Sequence, residues 1–244
     1  MNIQICETAS ELGAKAAAQA ADAIRRAIAE KGKARIVLST GASQFEFFQA
    51  FVGEKVDWSK VEMFHLDEYV GLPESHKASF RKYLKERFTD IVPVGKAHFV
   101  NGEGDIQRHL EELSAEIRKE PIDVAMIGIG ENCHIAFNDP PADFDTKEAY
   151  IVVELDEACK KQQVGEGWFA TVEDVPNRAI TMTVHQIMQA KTIISCVPRK
   201  VKAQAIKKTL ESELTNLVPS SMLKRHPDWT LYLDRDSASL IQHA

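Results

Sequence analysis

No apolar run in this chain approaches the length needed to cross a bilayer, so a membrane-embedded class is not expected. Basic tracts are equally absent, and the formal net charge is -6 over 244 residues. That balance argues against a nucleic-acid partner and means that any anionic ligand must be held by local donors against the overall field. The N-terminus lacks the charged-then-apolar pattern of a secretory signal. Only four cysteines occur, Cys6, Cys133, Cys159 and Cys196, and none forms a C-x-x-C pair. Such spacing suits neither a zinc site nor a disulfide framework and points to a reducing, cytoplasmic setting. With no internal repeat, low-complexity segment or long linker, one domain over residues 1–244 is expected.

What is present is ordinary globular composition, 44% hydrophobic and 27% charged, arranged as alternating strand and helix signals. Thr8-Ala9-Ser10-Glu11 forms a capping box before an alanine-rich helix that runs to about Glu30 and stops at Gly32. Strands are expected at Ala34 to Leu38, Val61 to Leu66, Ile122 to Ile127, Tyr150 to Leu155, Ala179 to Thr183, Thr192 to Val197 and Trp229 to Leu233. Helices are expected at Gln44 to Phe51, near Ser79 to Arg87, at Asp105 to Lys119 and at Arg199 to Leu210, with a loop at Asp67 to Pro73. This alternation predicts an α/β fold with a doubly wound, mainly parallel, Rossmann-like sheet flanked by helices.

Three strand ends carry chemistry. The Ile122 strand opens into Gly128-Ile129-Gly130-Glu131-Asn132-Cys133-His134, with Asp139 five residues beyond the histidine. The carboxyl edge of an open α/β sheet is where ligands bind, and a histidine there exchanges protons near neutral pH while an acid orients it. A dinucleotide fingerprint would need a third glycine at Cys133 and fails there. Cys133 and His134 are a nucleophile pair only if neighbours in a turn face each other, which they rarely do. The turn Ser39-Thr40-Gly41-Ala42-Ser43 offers small residues, hydroxyls and the start of a helix, a natural seat for phosphate, or else an ordinary helix start capped by Ser43. It is not a Walker loop, because no Gly-Lys-Ser/Thr follows. In His65-Leu66-Asp67-Glu68-Tyr69 the two acids point to opposite faces if the chain is extended. One carboxylate facing a cleft suffices to abstract a carbon-bound proton once burial raises its pKa; the alternative is that both acids solvate a turn.

These strings also resemble a family. Thr40-Gly41, Leu66-Asp67-Glu68-Tyr69-Val70-Gly71-Leu72 and His134-Ile135-Ala136-Phe137-Asn138 are similar to the glucosamine-6-phosphate deaminases (isomerases), within a wider group that includes the 6-phosphogluconolactonases. The resemblance runs from the first strand to Ser221-Met222-Leu223-Lys224-Arg225-His226-Pro227. It implies that Asp67 moves the C2 proton of an opened amino sugar, that His134 assists ring opening and that Asp139 supports the histidine. It also implies that Thr40, Gly41, Ala42 and Ser43, together with Lys202, hold the sugar phosphate. No metal or redox cofactor is implied, since the substrate supplies its own enolisable carbon. Subunit number is not encoded in these features, and a homo-oligomer is compatible with them.

The chain departs from the family pattern in several places. Asn132-Cys133 replace Asp-Gly before the histidine, and Gln44 replaces a proline. Asn132 is expected to orient the imidazole by hydrogen bonding without lending it full charge, which would weaken ring opening. Cys133 adds a β-carbon where glycine permits a left-handed backbone. Around Gln163 to Phe169 the family's phosphate-binding arginine has no counterpart, Gly167 falling nearest. Three readings therefore stay open: a deaminase, a lactonase of the same group (for which the Asp67 loop is unnecessary), and a sugar-phosphate sensor without turnover.

Overall fold

The computed structural model describes residues 1–241. In chain order its elements are β1 (Asn2–Cys6), α1 (Ala9–Lys31), β2 (Ala34–Leu38), α2 (Phe45–Phe51), β3 (Val61–His65), β4 (Asp67–Tyr69), α3 (Phe80–Leu84), β5 (Lys96–His98) and α4 (Ile106–Ile117). Then follow β6 (Val124–Met126), β7 (Tyr150–Glu154), α5 (Glu157–Gly165), β8 (Arg178–Met182), α6 (Val184–Ile187), β9 (Thr192–Val197), α7 (Ala203–Glu211) and β10 (Trp229–Asp234). Seven strands form one sheet in the order β1-β10-β9-β6-β2-β3-β5, with every neighbouring pair parallel. The expected α/β class and mainly parallel sheet are both found. No helix among the described residues is long and apolar enough to cross a membrane.

The central strands read as continuous apolar runs because both faces are covered. In β2, Ile36 and Leu38 pack into a core with α1 and α2, while Val37 between them packs into a second core with Leu110, Leu113 and Ile117 of α4. In β6, Ala125 faces the α4 side and Val124 and Met126 the α1 side, the same period of two. Helix α1 is capped as its sequence predicts: Thr8 Oγ1 accepts from the Glu11 N–H at 3.1 Å, and Gly32 closes the helix at φ +79°.

Five elements differ from the sequence expectation. Strands β1 and β5 and helices α5 and α6 are additional. The fifth lies at Asp67 to Tyr69, expected as loop, which forms β4 and pairs antiparallel with β8; β8 in turn pairs antiparallel with β7 in a separate three-stranded sheet. A strand of three residues carries too short a pattern to be read from sequence, and its partners lie more than a hundred residues away. A third apolar cluster, including Tyr69, Phe80, Phe137, Cys159, Phe169 and Ala179, packs around this small sheet.

One buried ion pair ties β4 to α3. Glu68 has no solvent exposure. Its Oε1 accepts from the N–H groups of Tyr69 and Phe80 at 3.0 and 3.2 Å. Its Oε2 accepts from Ser79 Oγ at 2.8 Å, the Arg81 N–H at 3.0 Å and Arg81 Nε at 3.2 Å. A carboxylate with this many donors satisfies free N–H groups at the start of α3 as a cap would. The Arg81 guanidinium continues outward to the Leu72 carbonyl at 2.8 Å, Asn101 Oδ1 at 2.6 Å and Glu103 Oε2 at 2.9 Å. Removing one partner of such a pair strands the other charge in the interior, at about 3–5 kcal/mol. Arg81→Met is therefore expected to lower unfolding stability by about that amount in urea titration, and a loss below about 1 kcal/mol, the range of exposed ion pairs, would show that the pair does not anchor β4.

Candidate active site

The strand ends converge on one open cleft. Its lining includes Thr40, Gly41 and Ser43 from the turn after β2, Asp67 from β4, Gly130 and His134 from the loop after β6, and Lys202 from the turn before α7. Of the residues singled out in the sequence, Asn132, Asp139 and Ala42 stand behind this lining rather than on it.

Asp67 follows the end of β3 and is turned into the cleft by the β4 pairing. Because β4 is extended, Glu68 points the opposite way, into the ion pair with Arg81. Asp67 is only 6% exposed, and burial, with the Glu68 charge adding to it, pushes its carboxyl well above the usual range. A carboxyl so placed is protonated in weak acid and becomes a stronger base once ionised.

The histidine loop is held from several directions. Asn138 Nδ2 donates to the Ile135 and Met182 carbonyls, each at 2.8 Å, and the Phe137 N–H donates to Thr181 Oγ1 at 3.0 Å. Thr181 of β8 is also the register partner of Asp67, so β8 positions both Asp67 and the histidine loop. A β-carbon on Gly130 would collide with the His134 ring, which explains the glycine there: the imidazole folds directly over that backbone. His134 Nδ1 lies 3.1 Å from Asp139 Oδ1, the orienting contact expected from the spacing, though bent from ideal hydrogen-bond geometry. Burial raises the Asp139 carboxyl, but hydrogen bonding and the charge of His134, with donors from Asn132 and the Asp156 N–H, outweigh it and leave it below its ordinary value.

Asn132 does not act as the sequence suggested. Its amide makes no bond to the imidazole; Oδ1 accepts from the His134 backbone N–H at 3.1 Å. Its Nδ2 instead donates to Asp139 Oδ1 at 3.1 Å and to Asp156 Oδ2 at 3.2 Å. The amide thus separates two carboxylates, a task a third carboxylate could not perform. Cys133 does take the left-handed backbone, at φ +72°. Its thiol is buried away from the cleft, with Sγ 3.7 Å from the Ala205 carbonyl, so it forms no pair with His134.

The phosphate-seat residues cluster as expected, on a 3₁₀ turn, Ala42–Gln44, that runs directly into α2. Gly41 sits at φ +97°, the Gln44 N–H returns to the Gly41 carbonyl at 3.1 Å, and α2 begins only at Phe45. Ser43 provides no cap; its hydroxyl accepts from Gln44 Nε2 at 2.9 Å. Gln44 also donates to the Cys196 carbonyl at 3.0 Å, fixing the turn to the end of β9, beyond which Lys202 lies. Lys202 is 4% exposed, and burial lowers its pKa while the Glu166 and Glu131 charges raise it in part. A buried ammonium lining a cleft, without a salt-bridge partner among the described residues, is poised to receive an anion.

Sequence reasoning missed Gln162, Gln163 and Glu166, all of which line the cleft. It also missed Asp156, whose Oδ1 caps α5 by accepting from the Cys159 N–H at 2.6 Å. The Asp156-Glu157 start was a readable helix signal; the aim of Glu166 into the cleft was not. His134, Asp139 and Cys159 bring three metal-type ligand atoms within 4.8 Å of one another. Burial and the neighbouring carboxylates hold the Cys159 thiol far above its ordinary range, the reverse of the electropositive setting that prepares a thiolate.

Comparison with known proteins places this geometry in a family. The profile described as "Glucosamine-6-phosphate isomerases/6-phosphogluconolactonase" matches residues 7–232. A glucosamine-6-phosphate deaminase of Lactobacillus delbrueckii subsp. bulgaricus is 33% identical over 243 residues, covering 99% of this chain and 100% of the relative. One from Shouchella clausii is 36% identical over 250 residues, covering 98% and 97%. Among solved structures, a monomeric glucosamine-6-phosphate deaminase superimposes with a TM-score of 0.91 at 29% identity, over 99% of this chain and 100% of that one. A 6-phosphogluconolactonase from Trypanosoma brucei shares the fold, with a TM-score of 0.81 at 15% identity over 99% and 98% of the two chains. The chain belongs to the glucosamine-6-phosphate isomerase/6-phosphogluconolactonase family.

Proposed function

We propose that the protein is an enzyme of aldose–ketose isomerisation and deamination, converting glucosamine 6-phosphate and water to fructose 6-phosphate and ammonia. The observation that carries this reading is the placement of Asp67, a buried carboxyl with raised pKa, in the same cleft as the His134–Asp139 pair and the buried Lys202. A lactonase needs water activated at an ester and no base for a carbon-bound proton. Full-length relatives named as deaminases support the same choice.

In this reading the phosphate rests between Lys202 and the turn Thr40 to Ser43, in a site drawn from one domain. His134 shuttles a proton between ring oxygen and O1 as the sugar opens, with Asp139 holding the Nδ1 side of the imidazole. Asp67 takes the C2 proton, giving an enolamine, and returns it to C1. The C2 imine left behind adds water and expels ammonia. Asp139 stays ionised beside His134 while Asp67 holds its proton more tightly, two carboxyls driven apart by environment.

Two expectations test these roles. Asp67→Asn keeps the shape of the side chain but cannot accept a proton. It should bind glucosamine 6-phosphate and fail to exchange its C2 hydrogen with deuterated solvent; exchange at the wild-type rate would remove Asp67 as the base. Because the base acts when ionised and its pKa is raised, wild-type exchange should fall away with decreasing pH above the ordinary carboxylate range. Asn132→Asp should not strengthen the site. It removes the donor shared by Asp139 and Asp156 and adds a third negative charge, so a stability loss of about 1–3 kcal/mol is expected with reduced turnover; a more stable, faster variant in thermal melts and ammonia assays would contradict the bridging role.

A further inference from the structure

Glu166 lines the cleft beside the turn Thr40 to Ser43. It follows directly on α5, between Gly165 and Gly167, the latter at φ +83°. Its Oε2 accepts from the Ala42 N–H at 3.3 Å and from the Trp168 indole N–H at 3.0 Å. Its Oε1 accepts from Gln162 Nε2 at 2.9 Å. The Trp168 ring packs edge-on against Phe45 and Tyr83, with centroids 6.3 and 6.1 Å apart, and the Tyr83 hydroxyl donates to the Gly41 carbonyl at 2.8 Å. The carboxylate is thus seated on the phosphate turn by three donors and an aromatic clamp, and it lines the cleft with Lys202.

Accepting the sugar-phosphate reading given above, we infer that Glu166 determines specificity in the phosphate subsite. Its carboxylate fills the place of one phosphate oxygen on the Ala42 N–H, and an arriving phosphate must displace it. Two anions cannot share that donor beside a single lysine without repulsion. Bare phosphate therefore binds poorly, whereas a phosphorylated sugar supplies further contacts from its hydroxyls. Displacement is complete before chemistry begins, so its cost falls on binding and KM rather than on kcat.

The test uses the full chain and its Glu166→Gln and Glu166→Ala variants. Inorganic phosphate is titrated calorimetrically, and KM and kcat are measured with glucosamine 6-phosphate. Both variants should bind phosphate about tenfold more tightly, as expected for relief from breaking one charge-assisted hydrogen bond. KM should fall in parallel while kcat stays within about twofold. Phosphate affinity that is unchanged or weaker in both variants overturns the inference, as does a loss of kcat at constant KM. Lys202→Ala separates this failure from failure of the subsite itself. Weaker phosphate binding in Lys202→Ala without a gain in the Glu166 variants overturns the role of Glu166 and leaves the subsite in place. No change in Lys202→Ala removes the phosphate subsite and, with it, this inference. Whether the wild type releases ammonia tests the reaction independently of either ratio.

Discussion

The site depends on a buried carboxylate that does no chemistry. Glu68, satisfied by five donors from Tyr69, Ser79, Phe80 and Arg81, fixes the path of β4. Extended backbone then leaves Asp67 no direction but the cleft. The same negative charge, one residue away, adds to burial in raising the Asp67 pKa. The direction and the pKa of Asp67 are thus set together. Arg81 offsets the cost of burying Glu68, and its own links to Leu72, Asn101 and Glu103 carry that anchoring out to the surface.

The second constraint is β8. Thr181 pairs with Asp67 through the backbone and accepts the Phe137 N–H through its hydroxyl, while Met182 receives Asn138. The small antiparallel sheet therefore acts as a gauge between Asp67 and His134, which follow β3 and β6 of the large sheet. Behind the histidine, Asn132 keeps the Asp139 and Asp156 carboxylates apart. At the far end of the cleft one buried lysine, Lys202, shares the lining with one carboxylate, Glu166.

Much of this was legible in the sequence because it rests on local signals. The Thr8 capping box and Gly32 gave α1, and continuous apolar runs gave the buried strands β2, β6 and β9. His134 with Asp139 five residues on, and Asp67 beside Glu68, were visible as polar groups at strand ends. What stayed hidden depends on contacts distant in sequence. β4 and β5 have three residues each and take their identity from pairing partners. The burial of Lys202 follows from where β9 ends, not from its neighbours. Asn132 looked like a weakened histidine partner because the family resemblance implies a carboxylate there, whereas its amide turns away to Asp156 from a segment 24 residues later. Glu166 carried no local signal, since a glutamate after a helix is ordinarily solvated.

Product analysis tests the central claim most directly. The protein is incubated separately with glucosamine 6-phosphate, galactosamine 6-phosphate and 6-phosphogluconolactone, and ammonia and acid are followed in each. The account predicts ammonia, with a ketose phosphate, from glucosamine 6-phosphate and no accelerated acid release from the lactone. Acid release from the lactone without ammonia from either amino sugar would contradict it, and so would tight binding of the amino-sugar phosphates with neither product formed.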